Sequence, residues 1–158
     1  MNELKREYFK YISLNIMGML GLSCYILPDT YFVSNRMGTN GLAALNLAIA
    51  VYSLIHGTGL MIGIGGATRY TISRSQGKTR RASEAFWDSL VLGMAAAAFF
   101  MAAGVFGAEF FAKLLGANEE ILPLTAVYLR TILCFSPCFI LNNIVLAFVR
   151  NDGSPSLY

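Results

Sequence analysis

The sequence predicts an all-α membrane protein of four transmembrane helices, and three observations carry that prediction. Four long stretches hold no Lys, Arg, Asp or Glu apart from a single carboxylate, basic residues gather at alternate junctions, and turn-forming residues mark the junctions. Of 158 residues, 56% are hydrophobic and 13% charged, with a mean hydropathy of +0.56, which is too apolar for a soluble domain. The net charge of +3 is read as membrane orientation, which excludes a nucleic-acid-binding surface.

A helix needs about 20 predominantly apolar residues to cross the hydrocarbon core. The first stretch runs from Tyr11 to Asn35, interrupted only by Asp29, and predicts a helix over about 11–35. A basic start at Lys5, Arg6 and Lys10 followed by an apolar core also resembles a signal peptide. The core is too long for one and no Ala-x-Ala site follows, so this first helix is expected to stay. The second stretch, Met37 to Thr68, is longer than one span requires, and its helix is placed at about 41–64 with tilt or overhang. Ser89 to Ala108 predicts a third helix over about 88–108, and Thr131 to Val149 lies within a fourth over about 123–149. In lipid each must be helical, because hydrocarbon offers no partner for a backbone amide.

Turns support these boundaries. Met37-Gly38-Thr39-Asn40-Gly41 and Leu115-Gly116-Ala117-Asn118 each offer a glycine to end one helix and an asparagine to cap the next. Ser75-Gln76-Gly77-Lys78-Thr79 ends the second helix, and residues 82–87 are expected to lead into the third along the membrane surface, with Trp87 at the interface. Lys5, Arg6 and Lys10 precede the first helix, and Arg69, Arg74, Lys78, Arg80 and Arg81 crowd the second junction. The other two junctions hold Arg36 and Lys113. By the positive-inside rule both termini and the second junction are cytoplasmic. Residues 1–10 are then a cytoplasmic segment, 11–149 the helix bundle and 150–158 a cytoplasmic end.

Several side chains stand out against this background. Asp29 is a carboxylate at membrane depth, where an ionised group costs about 2.5 to 3.5 kcal/mol on insertion scales and so usually faces a cavity or a partner. Tyr25 precedes it by four residues and projects from the same helix face. Pro28 removes a backbone donor between them, and Pro137 does the same before Asn142 and Asn143, so both prolines are candidate hinges. Two bent helices with polar side chains suit a water-lined cavity, although asparagines also hold helices together without any motion. Gly59 and Gly63 form a small-xxx-small face for close helix packing. The glycine run lacks a complete GxGxxG and a preceding strand, so it is no phosphate loop. His56 is read as a hydrogen-bonding group between helices before it is read as a proton relay, and Arg130 as an interfacial anchor. Cys24, Cys134 and Cys138 with that one histidine do not make a zinc set.

Asp29-Thr30-Tyr31-Phe32-Val33-Ser34, then Gly38 and Leu42-Ala43-Ala44-Leu45-Asn46, resemble the opening signature of the multidrug and toxic compound extrusion transporters. Ser73-Arg74-Ser75-Gln76-Gly77 with Ala82 and Ala85, and Phe148-Val149-Arg150-Asn151-Asp152-Gly153-Ser154-Pro155, are similar to two further blocks of that family in the same order. The resemblance implies a bacterial inner-membrane antiporter that exports cationic or amphipathic drugs against inflow of protons or sodium, with no cofactor and no enzymatic step. It implies that the chain supplies four helices of a six-helix lobe. Asp29 would then bind the coupling cation, H+ or Na+, with Tyr25, Asn143 and more loosely Asn142 beside it. The family pattern continues into a fifth helix beyond Tyr158, so the rest of the lobe and a second lobe are expected as partners. Two other readings are a free-standing four-helix small multidrug exporter and a structural or inactive membrane fragment.

Overall fold

The computed structural model describes the backbone of residues 2–151 and the side chains from Thr30 to Asn151, together with scattered earlier ones such as Cys24, Leu27 and Pro28. Its elements are all helical: α1 (Asn2–Ser75), α2 (Thr79–Leu114), α3 (Leu122–Cys134) and α4 (Ser136–Asn151). The chain divides into two units, Met1–Leu42 and Ala43–Tyr158. Residues 152–158, which carry part of the Phe148 to Pro155 block, lie outside the described residues.

In the first unit, α1 is two helices joined across a kink at Gly38, within the junction where the sequence predicts a turn. Only Gly38 leaves helical geometry, with φ 61° and ψ −150°. That region of backbone space is open essentially to glycine alone, so one residue does the work expected of five. The asparagine cap expected at Asn40 is therefore not needed, because Asn40 is itself helical. Pro28 lies inside α1 and its side chain is exposed.

The second unit holds the core. The part of α1 from residue 43 onward, α2, α3 and α4 bury a set of Ala, Ile, Leu and Phe side chains, among them Ala48, Ile55, Ala97, Leu129, Ile140 and Ile144. Small residues dominate on α2, where Ala82, Ala85, Ser89, Gly93, Ala97, Gly104, Ala108 and Ala112, with Phe100 between them, recur every three or four positions on the buried face. That spacing is one stripe of a helix, and its lack of bulk lets neighbouring backbones come close. Two turns close the long helices by the same hydrogen-bond pattern. After α1, Gly77 N–H donates to Arg74 O (3.0 Å) and Lys78 N–H to Ser73 O (3.0 Å). After α2, Gly116 N–H donates to Lys113 O (3.0 Å) and Ala117 N–H to Ala112 O (3.0 Å). Each is the six-to-one and five-to-two pair of a Schellman end, with the glycine at φ 71° or 90°. The next helix starts without the expected asparagine side chain: it is the backbone carbonyl of Asn118 that receives the Ile121 and Leu122 amides.

Helix boundaries differ from those read off the sequence at two further places. α2 begins at Thr79, so residues 82–87 belong to it and are not a separate surface segment. Nothing in Thr79–Asp88 breaks a helix, and Arg80 pairs with Glu84 one turn on (3.0 Å). The span expected over 123–149 is two helices bent by 45° at Phe135. Pro137 explains the bend, because it lacks the amide that would reach Leu133 O in a continuous helix. The Ser136 hydroxyl takes that carbonyl at 2.6 Å. Among the described residues, Thr30–Ser75 and Thr79–Leu114 are each long and apolar enough to cross a membrane, and the bent pair qualifies as a third span when taken together. The first expected span, 11–35, falls mostly where side chains lie outside the described set.

Candidate functional site

Tyr25 and Asp29 lie one helical turn apart on α1 in the first unit, and their side chains are outside those described. Asn142 and Asn143 lie on α4 in the second unit. As neighbours on one helix the two asparagines point in different directions. Asn142 is exposed, whereas Asn143 is 3% exposed and turned into the bundle.

What Asn143 faces follows from the glycines opposite it. A Cβ on Gly59 would stand 3.1 Å from the Asn143 Cβ, 3.2 Å from its Nδ2 and 3.1 Å from Ile140 Cα. A Cβ on Gly63 would meet Asn143 O and Ile144 Cα at 3.0 Å each. The expected small-residue face is thus the seat of α4, and the Asn143 amide lies against it. Gly57 and Gly65, which the same glycine-rich run contains, meet nothing within 4 Å. A glycine face is only a stripe: residues 59, 63 and 66 share it, and 57 and 65 fall off it.

The stripe continues toward residue 52 as a row of rings. His56, half-buried, lies 5.7 Å from the Tyr52 ring, and Tyr52 meets Phe139 of α4 edge to face at 5.2 Å. Phe139 and Asn143 are one turn apart on α4, as Tyr52 and His56 are on α1, so four side chains with polar or quadrupolar character share one seam. Tyr52 and Phe139 were not singled out from the sequence. The signal was there, since Tyr52 and His56 have the i, i+4 spacing of Tyr25 and Asp29, but Phe139 could be added only once α4 was known to be the neighbour. His56 makes this ring contact, and no hydrogen bond of its imidazole to a neighbouring helix occurs among the described residues.

Helix α4 is held at its start by Ser136, which is fully buried and whose hydroxyl also lies 3.2 Å from Ala97 O of α2. At its far end Phe148 is clamped between Phe86 of α2 (5.0 Å) and Tyr70 of α1 (5.5 Å), and Arg74 donates to the Tyr70 hydroxyl at 3.1 Å. These contacts fix the rotation of α4 and with it the inward direction of Asn143. Chemically the seam offers an amide oxygen, a phenol, an imidazole and aromatic faces. That set can hold a cation or a flat apolar ligand by oxygen donors and ring quadrupoles. Among the described residues no three His, Cys, Asp or Glu side chains gather as a metal set. Arg130 is exposed.

The sequence matches the model of the family described as MatE over residues 15–157. The multidrug export protein MepA of Staphylococcus saprophyticus is 30% identical over 146 residues, which cover 89% of this chain and 31% of that protein. A protein named FAD transporter from Shewanella oneidensis is 30% identical over 139 residues, covering 88% of this chain and 29% of its own length. The multidrug export protein MepA of Staphylococcus aureus is 28% identical over 150 residues, covering 93% and 33%. The chain therefore spans about a third of the length of the curated relatives it matches. No solved structure matches it.

Proposed function

The chain belongs to the MatE family, and from that premise we propose that it forms the amino-terminal part of a cation-coupled antiporter exporting small cationic or amphipathic compounds. Its helices would belong to a six-helix lobe, completed by further helices and by a second lobe. Both termini and the turn at residues 76–78 would face the cytoplasm of a bacterial cell, because the basic residues concentrate there. No chemical step on the cargo is involved.

The observation that carries this reading is the export function in the names of relatives that align along nearly the whole chain. The inward Asn143 in an apolar bundle supports it, since a buried amide at a helix seam is costly to place without a use or a partner. Asp29 is proposed as the coupling group, able to hold a proton or a sodium ion, and Tyr25, Asn143 and Asn142 as further residues for cation or substrate binding. Pro28 and Pro137 are proposed as the points where α1 and α4 flex. Pro137 has a physical basis already, because the bend it imposes leaves one backbone carbonyl dependent on a side chain.

Efflux of a fluorescent cationic dye from energised vesicles, under an imposed proton or sodium gradient, tests the assignment. Asp29→Asn in the protein as its cell makes it should abolish gradient-driven efflux while leaving the protein inserted, and Asp29→Glu should retain part of it. Tyr25→Phe removes one hydrogen bond and no charge, so its effect should be milder, on the order of tenfold or less. Parental efflux by the Asp29→Asn protein under both gradients would overturn the role of Asp29.

A further inference from the structure

Between α1 and α2 runs an open groove of about 300 Å³, which reaches the seam with α4 only at Gly66. Its walls are Met61, Ile62 and Leu92, and its floor includes Gly65, where a Cβ would meet nothing within 4 Å. One end of the groove is charged. Arg69 Nη1 stands 4.0 Å from Asp88 Oδ2, with both side chains at least 70% exposed.

The position of that pair along the helices is what gives it meaning. Arg69 is the first charged residue after the uncharged run from Met37 to Thr68, and Asp88 is the last before the uncharged run from Ser89 to Ala108. The latter run is about 30 Å long as a helix, the thickness of the hydrocarbon core, so the pair stands at headgroup level while the groove extends into the hydrocarbon. Trp87, 62% exposed and adjacent to Asp88, is the residue type that settles at this depth. An exposed, loosely paired cation and anion are held together weakly and exchange partners readily.

The geometry points to a binding site for a zwitterionic aminophospholipid, whose phosphate pairs with Arg69, whose ammonium pairs with Asp88, and one of whose acyl chains lies in the groove over Gly65. Charge complementarity selects this occupant. A purely anionic headgroup would satisfy Arg69 but face the Asp88 carboxylate, and a choline headgroup has no N–H to donate to it. A primary ammonium donates to the carboxylate, and its two-carbon link to the phosphate lets that phosphate reach the arginine. The site depends on the membrane-spanning reading of α1 and α2 but not on transport, and Asn143 does not line it.

The test is retention of lipid by the protein as its cell makes it, purified from vesicles of equal phosphatidylethanolamine and phosphatidylcholine with identical tails, counted by mass spectrometry. The parent should retain phosphatidylethanolamine over phosphatidylcholine by about threefold, the scale of an exposed charge pair. Asp88→Asn should bring the two to parity while still retaining lipid, and Arg69→Gln should lower retention of both. Phosphatidylglycerol added in equal amount should not displace the amine lipid. No preference in the parent, or a preference unchanged in Asp88→Asn, overturns the site. Gly65→Phe, which fills the groove, should fold with an unchanged thermal midpoint and lose the bound lipid. If that variant fails to fold, residue 65 packs against protein and is not open to lipid, and the lipid assignment falls.

Discussion

Gly57 and Gly63 stand six residues apart on α1 and should respond to an added methyl group in opposite directions. At Gly57 a Cβ meets nothing within 4 Å, so Gly57→Ala adds helix propensity and should stabilise by about 0.5 to 1 kcal/mol. At Gly63 the same atom meets two backbone atoms of α4 at 3.0 Å, and a backbone cannot rotate away as a side chain can. Gly63→Ala should therefore destabilise by about 1 to 3 kcal/mol, the range for overpacking, and Gly63→Leu by more. Ile62→Leu, a volume-conserving change next door, should cost less than about 1.5 kcal/mol. Thermal unfolding in detergent distinguishes the cases, and equal midpoints for the Gly57 and Gly63 variants would mean that α1 and α4 are not in contact. Ser136 is the other residue on which much depends. Most hydroxyls here, such as Thr58, Thr68 and Thr131, bond the carbonyl of their own preceding turn and do nothing between helices. Ser136 is placed between Leu133 O and Ala97 O, so its hydroxyl serves two helices at once.

At the scale of elements, the break between α3 and α4 sets up a non-additive pair of substitutions. Ser136→Ala leaves the Leu133 carbonyl buried without its donor, which should cost about 1 to 3 kcal/mol. Pro137→Ala restores an amide that can reach Leu133 O as the bend straightens. In that background Ser136→Ala should cost measurably less, by at least about 0.5 kcal/mol in a double-mutant cycle read by thermal unfolding. Strict additivity would show that the amide of residue 137 never reaches the carbonyl. The bend itself was legible in the sequence through Pro137, as was the contact face through the spacing of Gly59 and Gly63. The sequence also separated Asn143 from its surroundings as a polar residue beyond a helix breaker. Spacing alone did not separate Asn143 from Asn142, because the rotation of α4 depends on Phe148 fitting between Phe86 and Tyr70, which are distant in the chain. Nor could the Tyr52–Phe139 contact be read, since periodicity shows which side of a helix is buried but not which helix covers it. The junction at Gly38 was placed correctly but its form was not. A glycine flanked by Thr and Asn has the composition of a loop, and only the backbone angles show that a single residue departs from the helix.

For the molecule as a whole, the uneven distribution of basic residues makes a prediction about sidedness. Cysteines introduced at Lys78 or Arg81 should be shielded from impermeant thiol reagents in intact cells, while cysteines at Thr39 or Glu119 should be labelled. Labelling of the 78–81 region from outside would invert the orientation and, with it, the half of the membrane proposed for Asp29. The pairing of helices has a further effect on how the bundle can be made. Contacts along α1 at residues 52, 59, 63 and 66 meet α4 in ascending order, at Phe139, Asn143, Ala147 and Phe148, so the two helices run in the same direction. Parallel neighbours cannot be joined by a short turn, and here more than eighty residues separate Gly59 from Asn143. During synthesis the glycine stripe of α1 therefore enters the bilayer well before the surface that covers it exists. Until α4 leaves the ribosome, Gly59 and Gly63 lack the surface that covers them, while Gly66 already has Ser89 of α2 against it. The nascent chain thus passes through a stage with an incomplete seam. A ribosome stalled before residue 139 would leave a chain whose Gly59 and Gly63 lack the α4 surface that covers them.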